Sequence, residues 1–90
     1  MNKNQCVDHI SSKTGLSKKD VEAVINEFFD EVTQTLKNGD KAQFVGFGTF
    51  ETRERSSRTG RNPQTGEPIE IPASIVPAFR AGNKLKEAVK

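Results

Sequence analysis

The chain of 90 residues has one cysteine, one histidine, no tryptophan and no tyrosine. With Cys6 alone, no intrachain disulfide can form, and a reducing intracellular setting fits. Cys6 and His9 are two ligands where a metal site needs three or four, so no metal is expected. Cys6 is read as a small core residue and His9 as a solvent-facing or interface side chain. Enzymatic readings fail for lack of parts, and no catalytic residue, cofactor or small-molecule substrate is assigned. Glu27, Asp30 and Glu31 fit the wet face of a helix. Gly46-Phe47-Gly48 lacks the third glycine and the following helix of a dinucleotide loop and reads as a turn. Long apolar runs are missing too: nothing approaches a membrane span, and Met1 to Ser12 holds no secretion-signal core. A cytoplasmic protein with no membrane partner is expected. The hydrophobic fraction is only 32%, marginal for a self-sufficient core at this length, which favours oligomerisation.

The longest deficit is TRERSSRTGRNPQTGE, residues 52–67, without one aliphatic, aromatic or sulfur-bearing side chain of the usual core set. Charge is uneven in the same sense. Of the net +2, residues 1–52 contribute six Lys against eight Asp and Glu, and residues 53–90 contribute eight Lys and Arg against four Glu. All five arginines lie in the second part, which directs that end at a polyanion.

What is present sets the elements. Asn2 and Gln5 form a capping pair ahead of Cys6, Val7 and Ile10 at helical spacing, with an end near Thr14 and Gly15 beyond. Ser17 caps a second helix, Asp20 suits its positive end, and Leu16 can pack on Val21 as a hydrophobic staple. Val21, Val24, Ile25, Phe28, Phe29, Val32 and Leu36 then make one apolar stripe, closed by Asn38-Gly39. From Lys41 the period changes to alternation, with a turn at 46–48, a strand from Thr49, and a reversal at Asn62-Pro63-Gln64-Thr65-Gly66. Residues 53–62 should fold back on 67–76. Pro68, Pro72 and Pro77 make the return an edge strand or an irregular one. A short helix with Leu85, Ala88 and Val89 closes the chain. The expected fold is α+β: two N-terminal helices (1–40, a dimerisation part), a three-stranded antiparallel sheet (41–82) with a β-ribbon arm at about 53–76, and a C-terminal helix (83–90), all one domain. Helices are expected to cover one face of the sheet.

A two-stranded ribbon with no core face is marginal in water, so the outer arm should be mobile until it meets a partner. Solubility alone would not select arginine, whose planar fork matches phosphate oxygens. Arg53 and Arg55, at a period of two, share one side of a strand. Ten extended residues reach about 33 Å, close to the roughly 34 Å of one duplex turn. Pro63 is ordinary turn chemistry; a rigid apolar ring on a cationic tip is also able to wedge a base step. RNA binding by stacking lacks a platform, since no aromatic residue lies between Glu51 and Ala78.

GFGTF (46–50), GRNPQTGE (60–67), VPAFRAG (76–82) and GLSKKD (15–20) resemble the bacterial histone-like HU family, a close relative of integration host factor, over essentially the whole chain. The resemblance implies an intertwined dimer with two ribbons that wrap DNA in the minor groove, each inserting a proline. HU and integration host factor are themselves standing examples of minor-groove wedging, so that mechanism is inherited from the family. By position, Arg53, Arg55, Arg58 and Arg61 would contact phosphates and groove edges. Pro63 would be the wedge, flanked by Asn62 and Gln64, with Lys3, Arg80, Lys84 and Lys86 supplementing them on the body. Phe47, Phe50 and Phe79, with Phe29, Val32 and Phe44, would form the dimer core.

Two positions depart from the family: Ile75 and Asn83 stand where many HU proteins carry lysine. Lys84 can recover one charge one residue later, and Asn83 can instead cap the last helix. Fewer cations imply a shallower fall of affinity with salt than in more basic relatives. Double-stranded DNA and a second copy of the chain are the expected partners. The alternatives are a site-specific heterodimeric factor of the integration host factor type and a protein-interaction module that adds strands to a partner.

Overall fold

The computed structural model describes every residue, Met1 to Lys90. The chain forms two compact units, Met1–Gln34 and Thr35–Lys90. No helix is long and apolar enough to cross a membrane.

In the first unit, helix α1 (Lys3–Thr14) starts at a complete capping box: Gln5 N–H donates to Asn2 Oδ1 at 2.8 Å, and Asn2 N–H donates to Gln5 Oε1 at 3.1 Å. It stops at Gly15 in the left-handed conformation, as the sequence predicts. Helix α2 (Lys18–Lys37) begins at Ser17, whose Oγ accepts the Asp20 N–H at 3.1 Å. Lys18 bridges back to Asp8 at 3.2 Å, tying the helices where they meet in sequence. Val7 and Val21 are the only buried apolar side chains of the chain. Leu16 and Val21, the expected staple, line one small apolar cavity with Ile10 and Val24. The rest of the α2 stripe is poorly covered, with Phe29 53% exposed.

In the second unit, β1 (Ala42–Phe44), β2 (Gly48–Arg55) and β5 (Ser74–Ala81) form an antiparallel sheet in the order β1-β2-β5. β3 (Arg58–Arg61) and β4 (Pro68–Ile71) form a separate two-stranded ribbon. The arm expected at 53–76 is therefore not one continuous ladder. The pairing stops between Arg55↔Ser74 and Arg58↔Ile71, leaving Ser56-Ser57 opposite Pro72-Ala73. Two residues are skipped on each side, so the register is unchanged across the break. Pro72 supplies the reason, having no N–H to donate to the ladder. Pro68 opens β4 and Pro77 lies within the edge strand β5, positions that tolerate a missing donor.

Helix α3 (Asn83–Ala88) is capped by the backbone of Gly82, with no side-chain bond; Asn83 is its first helical residue. Capping by Asn83 is corrected on this point. Gly82 takes the extended Ncap conformation, and its N–H is bound by the Phe47 carbonyl at 2.7 Å. The Leu85 N–H reaches the Gly46 carbonyl at 3.2 Å. Contacts to the 45–47 turn thus fix where the helix begins.

Opposed residues in an antiparallel sheet share a face. Ala42↔Phe50↔Phe79 and Phe44↔Gly48↔Ala81 therefore define one side, and Gln43↔Thr49↔Arg80, Glu51↔Ala78, Arg53↔Val76 and Arg55↔Ser74 the other. On the first side Phe50 meets Phe79 with ring centroids 4.8 Å apart and Phe44 at 6.3 Å, while Phe47 meets Phe79 at 5.7 Å. Despite these contacts Phe47 is 53% and Phe79 39% exposed. The whole chain leaves 7606 Å² accessible, against about 5,200 Å² for a self-contained monomer of its mass. Apolar surface on both units remains uncovered.

Gly48 is where the aromatic cluster leaves no room. A Cβ there would lie 2.6 Å from Phe79 Cε1 and 2.7 Å from the Arg80 carbonyl oxygen. Gly48→Ala should lower stability by about 1–3 kcal/mol through overpacking, read as a reduced urea midpoint at fixed protein concentration. An unchanged midpoint would show that both the Phe79 ring and the Arg80 backbone give way.

Candidate nucleic-acid interface

The basic side of the sheet is organised by a residue that sequence reading passed over. Glu51 is buried, with its side chain 9% exposed, and Arg80 donates from Nη2 to its Oε1 at 2.6 Å. Arg53 Nε lies 3.6 Å from the other oxygen, Oε2. β2 places Glu51 and Arg53 two residues apart on one face, and the register sets Arg80 beside Thr49, diagonally across from Glu51. The only local signal was an acid at period two from an arginine. Its main partner comes from a strand 29 residues later.

Burial acts to raise the Glu51 pKa. The charge and hydrogen bond of Arg80 act against it, with help from Lys41 and Arg53, and hold the carboxyl below its ordinary value. Arg53 and Arg80 remain more than half exposed, at 57% and 62%, so their outer N–H groups face solvent.

Beyond Arg53, the arginines of the arm, Arg55, Arg58 and Arg61, carry no ion pair. Arg55 lies on the same face as Arg53, at the edge of the break, in open clefts that also take in Glu54 and Ser57 on one side and Arg58 and Pro72 on the other. Arg58 and Arg61 are three residues apart on β3 and so leave opposite faces of the ribbon. Ile69 and Ile71, which pair with Gly60 and Arg58, are exposed apolar side chains of the return strand.

The tip is a four-residue loop, Pro63-Gln64-Thr65-Gly66, inside an Asn62–Glu67 closure in which Asn62 N–H donates to the Glu67 carbonyl at 2.7 Å. Asn62 holds the loop from within. Its Oδ1 accepts the Gln64 N–H at 2.9 Å and its carbonyl accepts the Gly66 N–H at 2.7 Å. Gly66 takes φ 73°, the left-handed conformation that ends the loop. Pro63 and Gln64 are thereby presented outward, both exposed. The legible signal was the run from Pro63, which fixes φ early, to Gly66, which is free to take φ > 0; the hold that Asn62 takes on the loop is visible only in the structure.

The remaining predicted cations lie elsewhere. Lys84 is exposed at the start of α3, its aliphatic stem running beside Gly46, and Lys86 is exposed two residues on. Lys3 belongs to the helical unit, where Nζ donates to Asn26 Oδ1 at 2.9 Å and lies 4.0 Å from Glu22. His9 is exposed and Cys6 half-buried.

The depressed Glu51 pKa has a sign. A carboxyl lowered by folding contributes stability that is fully present above its unfolded-state value, roughly 4.3, and is lost as pH falls through the lower folded value. Stability should therefore decline on acidification below about pH 4, and Glu51→Gln should be less stable near neutrality with a flatter acid limb. Urea midpoints at about pH 7 and about pH 3 test this, and parallel acid limbs in both proteins would remove Glu51 as the cause.

The family model for bacterial DNA-binding protein matches residues 1–90. The chain is 57% identical over 89 residues to DNA-binding protein HU of Lactococcus lactis, covering 99% of this chain and 98% of that one. It is 54% identical over 90 residues to DNA-binding protein HU of Geobacillus stearothermophilus, covering all of both. Among solved structures, HU from an Anabaena HU–DNA cocrystal superposes with a TM-score of 0.93 at 46% identity, covering 99% of this chain and 97% of that one. HU from Thermotoga maritima gives 0.73 at 33% identity over the full length of both. Matched along its whole length in both sequence and fold, the chain belongs to the HU family of bacterial DNA-binding proteins.

Proposed function

We propose that the chain is a nucleoid-associated architectural protein of the cytoplasm. It binds duplex DNA with little sequence preference, acts as an intertwined homodimer, and bends the duplex with ribbons lying in the minor groove. The observation that carries this reading is the division of the sheet into an uncovered aromatic side and an opposite basic side that runs on into a ribbon with arginine on both faces. The HU of the Anabaena cocrystal was crystallised with DNA, which supports the same ligand here.

Phe44, Phe47, Phe50 and Phe79 in one unit, and Phe29 and Val32 of α2 in the other, are the apolar residues that a second copy would cover. On the other side of the sheet, Arg53, Arg55 and Arg80 meet phosphates; Lys84 and Lys86 of α3 and Lys3 of the helical unit add charge from their own elements. Arg58 and Arg61, leaving opposite faces, let the ribbon reach phosphates on either wall of a groove, while Ile69 and Ile71 offer apolar contact to sugars. Pro63, held outward by Asn62 and followed by Gln64, is the wedge that opens a base step. Nothing in the arm is built as a bidentate array for base edges. Affinity then comes from backbone contact, and preference from deformability. The role is mechanical, and it needs neither catalytic group nor cofactor.

Sedimentation of the chain purified alone should give a dimeric mass at micromolar concentration; a monomer would favour a heterodimeric partner. Arg58→Ala and Arg61→Ala should each flatten the log K against log salt slope by about 1, and an unaltered slope in both would take the ribbon off the phosphates. Pro63→Ala should reduce duplex bending in a circular-permutation assay more than it reduces affinity. Full bending by that variant would end the wedge role.

A further inference from the structure

The basic residues of the sheet and arm fall into two groups. Arg55, Arg58 and Arg61 carry no ion pair, whereas Arg53 and Arg80 share the two oxygens of Glu51. Glu51 is also the only buried polar or charged residue of the chain. A phosphate that drew Arg80 away from it would leave a buried carboxylate short of its shortest partner, an unfavourable exchange. No such exchange is needed. A guanidinium has five N–H donors, and both arginine side chains are more than half exposed, so each can meet a phosphate with its outer N–H groups while staying on Glu51.

We propose that Glu51 is an internal counter-ion of the basic face, one that stays paired when DNA arrives and withholds about one unit of positive charge from it. This rests on the reading of that face as phosphate-binding. Two arginines and one carboxylate present one net charge where the arginines alone would present two. Fewer phosphates are then fully neutralised and fewer cations leave the duplex, so affinity falls less steeply with salt. Glu51 acts on DNA only through the arginines that it holds, as a residue that sets their effective charge. The salt sensitivity of the protein is therefore adjustable at a buried strand position that touches no DNA.

The test is a titration of a labelled linear duplex of mixed sequence at several salt concentrations, with wild type, Glu51→Gln and Glu51→Asp. Glutamine keeps an oxygen for Arg80 and removes the charge. It should bind more tightly at low salt, with a log K against log salt slope steeper by up to about 0.9. Aspartate keeps the charge and should keep the wild-type slope. If the glutamine variant does not fold by circular dichroism, Glu51→Ala removes the charge without burying an amide and leaves the exposed Arg53 and Arg80 to solvent, and the same steepening is expected. A merely structural Glu51 would lower the melting temperature of the folded variant and leave the slope unmoved, which overturns the proposal. A slope that becomes shallower does so as well. Should wild-type affinity itself show no fall with salt, the failure lies with the phosphate-binding reading; a salt-dependent wild type with an equal slope in Glu51→Gln refutes the counter-ion alone.

Discussion

Successive side chains of a strand leave opposite faces, and in β2 this constraint separates Phe50 from Glu51 and Arg53. Phe50 needs an apolar cover and pulls Phe44 and Phe79 to its side. Glu51 needs cations and takes Arg80 and Arg53 on the other. A register slip of one residue would put the carboxylate among the rings and an aromatic ring against the arginines. One sheet thus presents an aromatic side and a basic side. In a chain this short, the division leaves no interior in the second unit: its aromatic residues touch one another but none is buried.

The ribbon continues that division into a region where no core exists. Its strands pair over Arg58–Arg61 and Pro68–Ile71 only, beyond a break at Ser56-Ser57 and Pro72-Ala73. Four ladder pairs with exposed side chains offset little of the entropy lost on ordering, which is the condition under which isolated hairpins are marginal. The loop at the tip is nevertheless specified in detail by Asn62 and Gly66. The arm thus combines a locally ordered tip, where Pro63 is exposed, with an interrupted ladder at its base.

Local chemistry was legible wherever it was settled within a few residues. The Asn2–Gln5 box, the Gly15 stop, the Ser17 cap and the change of period at Lys41 all depend on neighbours in sequence, and each can be read from residue types and spacing. The reversal at 62–66 belongs with them. What escaped was settled across strands. An irregularity on the return strand was legible from Pro72, but the partnership of Glu51 with Arg80 depends on a register that no local pattern states. The start of α3 escaped for a similar reason: the backbone of Gly82 docks on the 45–47 turn, and that contact overrides the capping preference of Asn83. The functional reading of the tip needed the family resemblance, because Pro63 in isolation is an ordinary turn proline.

Ile75 and Asn83, where the family resemblance leads one to expect lysine, acquire a location. Ile75 pairs with Glu54 and alternates with Pro77 and Phe79, so it lies on the aromatic side of the sheet, away from Arg53, Arg55 and Arg80. Asn83 opens α3, beside a Lys84 whose stem crosses the Gly46 turn. Neither residue removes a cation from the row that Glu51 organises. The basic face is therefore intact in its arginines and moderated from inside, by a carboxylate the fold holds under them. Counting cations along the sequence treats all five arginines as equal. The geometry ranks them, with Arg55, Arg58 and Arg61 carrying undiminished charge into the arm and Arg53 and Arg80 sharing theirs at its root.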